Sequence, residues 1–275
     1  MPFLSQAVAV ALTAIAPMFP LPASLPISPP AHSLQAVSVS ANPTVAALFG
    51  ASSETSGHTC TASVVSSTTR NLLITAAHCV SGTGKGTGIT VAPGYDAGST
   101  PYGVWSVTDV FMDAAWKASQ SDPDDVAILQ VAPRVVNGAT RELQDVTGAN
   151  NLGDTPASAT TVTVQGFNTG TGDRAISCTT GLDFTRDNNP TFGCAGYVGG
   201  SSGSPWLVTG ADGTTLVTGV IGGLNQGGCT SRTSYSPVFD TAVGNLLARA
   251  EETDAIGDTT PPAGTPSGCT GSSST

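Results

Sequence analysis

The stretch Gly199-Gly200-Ser201-Ser202-Gly203 narrows the choice of fold, because every histidine of the chain lies before it. The stretch formally matches the G-x-S-x-G turn of the α/β-hydrolases, centred on Ser201. Those enzymes need a histidine after the serine. The three histidines, His32, His58 and His78, all precede residue 199, so an α/β-hydrolase fold is excluded.

The positions of the acidic residues exclude a second chain order of catalytic residues, that of the subtilisins. A serine is a weak nucleophile near neutral pH, so it needs a base and a third group that orients the base. The subtilisin order requires an acid before the histidine. Only Glu54 precedes His78, and the first aspartate is Asp96. The order histidine, aspartate, serine is the one that remains.

Five short motifs occur in order between residues 58 and 223. They are His-Thr-Cys-Thr-Ala-Ser (58–63), Thr-Ala-Ala-His-Cys (75–79), Asp-Val-Ala-Ile-Leu (125–129), Gly-Ser-Ser-Gly-Ser-Pro (200–205) and Gly-Val-Ile-Gly-Gly (219–223). Each motif is weak alone, but the ordered set is specific. It resembles the chymotrypsin-type serine peptidases, in the trypsin-like or V8-like form of secreted bacterial enzymes.

The resemblance implies an all-β fold of two antiparallel β-barrels with a short C-terminal helix, and the activity of a serine endopeptidase. It implies that Ser202 is the nucleophile, His78 the general base and Asp125 the residue that orients the base. The N–H groups of Gly200 and Ser202 would form the oxyanion hole. No cofactor is expected, and no metal motif such as H-E-x-x-H is present.

The same resemblance places the S1 pocket, which receives the substrate side chain before the scissile bond. Its residues would be Gly196, Ile221, Gly222 and Gly223. Gly196 falls near the base, where trypsin carries an aspartate, so Arg or Lys specificity is not expected. Ile221 lies where glutamate-specific relatives carry a histidine. The prediction is a preference for small or apolar side chains.

Two further residues depart from, or compete with, this assignment. Ser201 stands where zymogen relatives carry an aspartate that pairs with a new N-terminal amine. No Lys or Arg precedes Arg70, so a tryptic activation site is missing as well. Maturation without N-terminal insertion is therefore predicted. His58 falls at a structural position of the family and is not assigned to catalysis.

Six cysteines occur without a C-x-x-C pair, which favours disulfides over a structural zinc site and indicates an oxidising compartment. The resemblance implies a Cys60–Cys79 bond. The other four cysteines allow three pairings. Cys178–Cys194 with Cys229–Cys269 is favoured, and a Cys194–Cys229 bond, which would leave Cys178 with Cys269, is the rival.

Composition limits the partners. The net charge is −10 with only 9 Lys plus Arg, which disfavours nucleic acid and anionic lipid. The 33 Gly and 19 Pro, with 10% charged residues, favour short strands joined by turns. Polypeptide substrates and protein protease inhibitors are the expected partners of a monomeric chain.

The chain divides into four predicted regions. Residues 1–33 form a signal peptide with an apolar stretch at 3–19 but no Lys or Arg, and cleavage is expected after Ala23 or Ser33. Residues 34–44 form a linker or short pro-segment. The peptidase domain spans 45–250, with barrel one at 45–132, barrel two at 157–239 and a helix at 240–250 that Asp240 caps. Residues 251–275 form a flexible tail. The mature protein is expected to be extracellular and free of the membrane.

Two alternative functions stay open at this point. A catalytically inactive relative could act as a binding protein, although such proteins usually lose a triad member and all three are present here. An esterase-type hydrolase could use the same site, because acyl transfer does not demand an amide. Peptide substrates tested beside simple esters would separate the esterase from the peptidase.

Overall fold

A computed structural model gives the fold of residues 34–50, 57–169 and 174–264, together with Met1 and Cys269. The predicted signal peptide, apart from Met1, lies outside these residues. Within them, no helix is long and apolar enough to span a membrane.

Short strands dominate the structure and helices are few, which confirms the predicted fold class. The strands β1 to β16 are Val37–Ser38, Val45–Phe49, His58–Val64, Leu72–Thr75, Thr90–Pro93, Trp105–Met112, Ala127–Val131, Arg134–Val136, Ala139–Arg141, Asn151–Leu152, Thr161–Phe167, Ala175–Phe184, Pro190–Phe192, Pro205–Thr209, Thr215–Val220 and Ser234–Tyr235. The helices α1 to α3 are Ala114–Ser119, Leu143–Thr147 and Thr241–Ala250, and one-turn 3-10 helices span Ala77–Val80, Asp122–Asp124 and Leu224–Gly227.

The first half of the chain closes into a six-stranded barrel in the order β2-β3-β4-β7-β6-β5, with β5 paired back to β2. Alternation along β2 shows how it is filled, since successive side chains face opposite sides of a strand. Ala46 and Leu48 belong to the core inside the barrel. Ala47 and Phe49 pack with Phe167 of the second half. β2 is therefore buried on both faces.

The second half forms an eight-stranded sheet in the order β10-β15-β14-β11-β12-β13-β16, with β1 paired to β12. Its neighbouring strands are antiparallel except for β10 and β15. Among the described residues no pairing joins β10 to β16, so hydrogen bonds close only the first half into a ring. The core of the second half includes Val164, Phe192, Tyr197 and Trp206.

The C-terminal helix α3 forms as predicted. The carboxylate of Asp240 accepts a hydrogen bond from the Ala242 N–H at 2.8 Å, which satisfies one of the free donors at the helix start. Val243 and Leu246 lie on the buried face and join a core cluster that also contains Phe111 of the barrel. The helix thereby covers the outside of the first half.

Three disulfides account for all six cysteines. Cys60–Cys79 joins β3 to the 3-10 helix that follows β4. Cys178–Cys194 and Cys229–Cys269 are the favoured pairs, and the rival Cys194–Cys229 bond is absent.

The predicted linker at 34–44 carries regular structure. Val37 and Ser38 form β1 on the edge of β12. Just before it, the Ala195 N–H donates to the Leu34 carbonyl at 2.7 Å, and the Ala36 N–H donates to the Ala195 carbonyl at 2.8 Å. These backbone bonds make the segment part of the folded domain, which its side-chain composition did not indicate.

The beginning of the predicted flexible tail also packs on the domain. The Asp258 N–H donates to the Val110 carbonyl and the Thr260 N–H to the Gly84 carbonyl, both at 2.7 Å. The physical reason is the partly buried carboxylate of Asp258, which bonds to groups of the first barrel and of α3. A tail rich in Pro, Gly, Thr and Ser is therefore anchored by one charged residue.

Candidate active site

Strand pairing brings His78 and Asp125 together. β4 and β7 are antiparallel neighbours, with Thr75 opposite Ala127. Thr75 is the last residue of β4 and Ala127 is the first residue of β7. Because the two strands are antiparallel, the residues that follow Thr75 and those that precede Ala127 lie at the same end of the barrel. His78 lies three residues after Thr75, and Asp125 two residues before Ala127. Their 47-residue separation in sequence is thus closed by the regular sheet.

His78 is held in a defined orientation. It sits in the 3-10 helix Ala77–Val80, and its neighbour Cys79 is bonded to Cys60 of β3. The ring Nδ1 lies 2.8 Å from Asp125 Oδ2, and the backbone N–H of His78 donates to Asp125 Oδ1 at 2.9 Å. A carboxylate at Nδ1 favours the tautomer with its proton there, which leaves Nε2 as an acceptor. The ring can therefore act as a base at Nε2.

Asp125 is fully buried, and its charge is satisfied by N–H groups. Besides the two bonds from His78, its Oδ2 accepts the Gly223 N–H at 2.9 Å. A buried carboxylate is tolerated when it is paired and hydrogen-bonded. A Cβ on Gly222 would lie 3.0 Å from Asp125 Oδ2, so the glycine permits the close approach. Gly222 and Gly223, predicted to line S1, instead contact the aspartate.

Ser202 lies on the tight turn that leads into β14. The Thr61 N–H of the barrel donates to the Ser202 carbonyl at 2.7 Å, which ties the turn to β3. Gly203 has φ +78°, and a Cβ there would lie 2.1 Å from the Thr61 carbonyl oxygen. Only glycine fits this position without displacing the backbone. The turn thus presents Ser202 to the cleft.

The two predicted oxyanion donors differ from their neighbours in hydrogen bonding. Across the described residues, the N–H groups of Gly200 and Ser202 donate to no protein acceptor, whereas their neighbours do. The Ser201 N–H donates to the Val198 carbonyl at 3.0 Å, and the Gly203 N–H donates to the Ile221 carbonyl at 2.7 Å. N–H groups without a protein acceptor are what a developing oxyanion needs.

Ser201, the neighbouring serine, has a different environment. Its Oγ donates to the Val198 carbonyl at 2.7 Å, and the residue is buried. Its hydroxyl proton is already committed to that carbonyl. The two adjacent serines therefore differ in chemistry, with Ser202 the one whose hydroxyl has no hydrogen-bond partner among the described residues.

His78 and Ser202 line one cleft of about 880 Å³. The barrel contributes Thr59, Cys60 and Cys79, and the second half contributes residues 197–202, Ile221 and the loop 225–231. Among the described lining residues, His78 and Tyr197 have the ionisable side chains, apart from the disulfide-bonded cysteines. None of these described residues is a Lys, Arg, Asp or Glu.

The predicted S1 residues are only partly brought together. Ile221 lines the cleft, whereas Gly196, Gly222 and Gly223 do not. At Gly196 the space a Cβ would fill is taken by the Gln35 side chain, 2.5 Å away. The loop 225–231 and Tyr197 line the cleft without having been predicted. The run Asn225-Gln226-Gly227-Gly228 is the one sequence feature that could have indicated this part of the cleft, since it is typical of an irregular loop.

Tyr197 forms a neutral wall of the cleft. Its hydroxyl donates to the Val164 carbonyl at 2.7 Å, and burial raises the pKa of the phenol above its ordinary value. The tyrosine therefore stays protonated and contributes shape and apolar surface.

A metal ion finds no free thiolate at this site. The ligand atoms of Cys60, His78 and Cys79 lie within 4.8 Å of one another. The sulfurs of Cys60 and Cys79 form a disulfide, however, so they are not available as thiolates.

The matches to known proteins agree with this geometry. The sequence model of the trypsin family matches residues 35–247. The chain belongs to the trypsin family. It is a serine-type peptidase, and its substrates are polypeptides. Among curated protein sequences, none matches the chain.

Solved structures extend the likeness to the fold. The protease Anisep from Arthrobacter nicotinovorans matches with a TM-score of 0.63 at 23% identity, over 78% of this chain and 98% of that one. The thermostable serine protease AL20 from an extremophilic microorganism has a TM-score of 0.61 at 22% identity, over 78% and 99%. A Glu endopeptidase has a TM-score of 0.61 at 16% identity, over 80% and 98%. At these identities the neighbours establish a chymotrypsin-like fold.

Proposed function

We propose that this peptidase is a secreted endopeptidase that cuts peptide bonds through Ser202, His78 and Asp125. The observation that carries the proposal is the doubly bonded His78–Asp125 pair, with the carboxylate buried and the ring opening into the cleft that Ser202 lines. That arrangement supplies a base whose orientation and charged form are both stabilised.

The reaction proceeds by acyl transfer. Ser202 Oγ attacks the scissile carbonyl while His78 Nε2 takes its proton. The tetrahedral oxyanion accepts hydrogen bonds from the N–H groups of Gly200 and Ser202. Each bond contributes about 3 kcal/mol of transition-state stabilisation. The imidazolium gives its proton to the leaving amine. Water then attacks the acyl-enzyme with His78 again as the base, which frees the acid and restores Ser202.

The proposed preference is for an uncharged residue before the scissile bond. The cleft residues Ile221, Tyr197 and the Gly/Asn loop at 225–228 offer no acid for Arg or Lys and no Lys or Arg for Glu. Burying a charged side chain without a partner is costly. Small and apolar side chains fit the cleft best, so we do not assign the Glu preference named for one structural neighbour.

Peptide hydrolysis is the direct test of the proposed activity. A panel of tetrapeptide amides that differ at the residue before the scissile bond is run beside simple esters. We expect cleavage of the apolar peptides with little on Arg, Lys or Glu. Hydrolysis of esters alone would favour an esterase. No turnover of either class by the disulfide-bonded protein would favour an inactive binding relative.

The proposal includes that the enzyme is extracellular and monomeric. Three disulfides require an oxidising compartment. Because Leu34 and Ala36 pair with Ala195 beside the serine loop, the secreted form should begin at or before Leu34. N-terminal sequencing of the secreted protein checks this, and an active form that starts beyond Val39 contradicts it. Size-exclusion chromatography with light scattering tests the monomer.

A further inference from the structure

The chain beyond the trypsin-family match runs back over the first barrel. We call residues 258–262 the anchor segment. At its start the Asp258 N–H donates to the Val110 carbonyl at 2.7 Å. Further along, the Gly82 N–H donates to the Pro261 carbonyl, also at 2.7 Å. The anchor segment is therefore hydrogen-bonded to β6 and to the loop that follows His78 and Cys79.

Asp258 fixes the anchor segment electrostatically. Its side chain is only 10% exposed and accepts bonds from the Met112 N–H at 2.8 Å, Lys117 Nζ at 2.5 Å and Arg249 Nη2 at 2.7 Å. A carboxylate held by two cations and one backbone donor has its charge satisfied on several sides. This residue binds the tail to β6, α1 and α3 at once.

The tail is also joined covalently to the cleft. Cys269 is bonded to Cys229, and both cysteines line the cleft that contains His78 and Ser202. Cys229 belongs to the second half, whereas the anchor segment lies on the first. The tail thus connects the two halves through one wall of the cleft.

That wall, the loop 225–229, has a backbone that needs outside support. Asn225 and Gln226 both have φ +54°, in the left-handed region that residues with a side chain disfavour. Outside the loop, the Asn225 N–H donates to Asp122 Oδ2 of the first half at 3.1 Å. The Gln226 N–H also donates to the Gly223 carbonyl at 2.7 Å, and the disulfide of Cys229 attaches the other end of the loop. The wall is therefore held at each end by a residue outside it.

We propose that the anchor segment and the Cys229–Cys269 bond hold the loop 225–229 in its substrate-binding conformation, so that the tail is a positioning element for peptide substrates. This inference rests on the proposed function. In the described part of the chain, the bonds that orient His78, Asp125 and the Ser202 turn come from residues other than the tail. Loss of the tail bond should consequently weaken peptide binding and leave the reactivity of the serine intact.

The test separates peptide affinity from serine reactivity. The double variant Cys229→Ser/Cys269→Ser is assayed with the best tetrapeptide amide and with a small fluorophosphonate. We expect KM for the peptide to rise about tenfold, while kcat and the rate of labelling stay within about twofold of wild type. An unchanged KM would overturn the proposal. So would a parallel fall in labelling rate, because the bond would then support the catalytic centre or the whole fold.

A matched pair tests the anchor segment with the disulfide intact. Asp258→Asn weakens the bonds to Lys117 and Arg249, whereas Asp254→Asn removes an exposed carboxylate that has no partner among the described residues. KM should rise about threefold for the first and stay unchanged for the second. Equal KM values for the two would overturn the role of the anchor segment. Wild type that is neither labelled nor active would refute the proposed function itself.

Discussion

The two halves of the molecule position their share of the site in different ways. In the first half, regular pairing of β4 with β7 in a closed barrel sets His78 beside Asp125. In the second half, an open sheet presents Ser202 on a turn that hydrogen bonds from the barrel hold. The position of His78 beside Asp125 thus depends on sheet register, whereas the position of the serine turn depends on a few individual contacts. Single substitutions beside His78 and single substitutions beside the serine turn should therefore change kcat and stability to different extents.

The largest expected effect comes from the barrel half, with Asp125→Asn. The change removes the charge that stabilises the imidazolium and favours the wrong tautomer of His78. We expect kcat for peptides to fall by about 10⁴. The control is Asp124→Asn, a neighbouring carboxylate that accepts no side-chain bond in the described part of the chain, and its kcat should stay close to wild type. A loss below tenfold in Asp125→Asn would contradict the assigned role.

A smaller effect is expected where the barrel supports the serine turn. Thr61 is buried, and its Oγ1 donates to the Gly200 carbonyl and accepts the Phe167 N–H, both at 3.1 Å. Thr61→Val keeps the shape but leaves both groups without this partner, which should cost about 1–3 kcal/mol of unfolding free energy. Denaturant unfolding and kcat measure the change.

The matched control for Thr61 is Thr108→Val on the exposed face of β6. Its hydroxyl donates to the Gln130 carbonyl at 3.2 Å, where water can replace it. Both its stability and its kcat should stay close to wild type. If Thr61→Val behaves like Thr108→Val, the serine turn does not depend on this contact.

The smallest expected effect is a pH dependence of stability that comes from Asp258. Burial raises the pKa of its carboxyl, but the bonds from Arg249, Lys117 and Met112 lower it further, so the pKa lies below its ordinary value. A group with a lowered folded pKa stabilises the fold above its unfolded pKa, near 4, and loses that contribution as the pH falls through the folded value. Wild type should exceed Asp258→Asn in unfolding free energy at pH 7, with a gap that narrows below about pH 4. A gap independent of pH would contradict this.

The sequence predicts the all-β fold, the α3 cap at Asp240 and the favoured disulfides, because each has a local or chain-order signal. It also names His78 and Asp125, which the structure places in contact. It does not predict that Gly223 donates to Asp125, that β1 pairs with β12 or that Asp258 anchors the tail. Those contacts join residues about 98, 140 and 146 positions apart, and no local pattern marks their partners.

The S1 residues are assigned with less local information than the catalytic residues. Counting back from Ser202 assigns Gly196 to the pocket base and motif resemblance assigns Ile221 to its wall; of the two, Ile221 lines the cleft. The loop 225–231 forms much of the wall, and its left-handed residues and disulfide follow from tertiary packing. Counting locates a turn or strand reliably, but it does not locate a pocket lined by irregular loops.

Intact-mass labelling with a fluorophosphonate tests the central assignment most directly. It is run on disulfide-bonded wild type, on Ser202→Ala and on Ser201→Ala, whose hydroxyl is bonded to Val198. One adduct on wild type and on Ser201→Ala, with none on Ser202→Ala, is the predicted result. An adduct that persists in Ser202→Ala, or no adduct on wild type, would contradict Ser202 as the activated nucleophile.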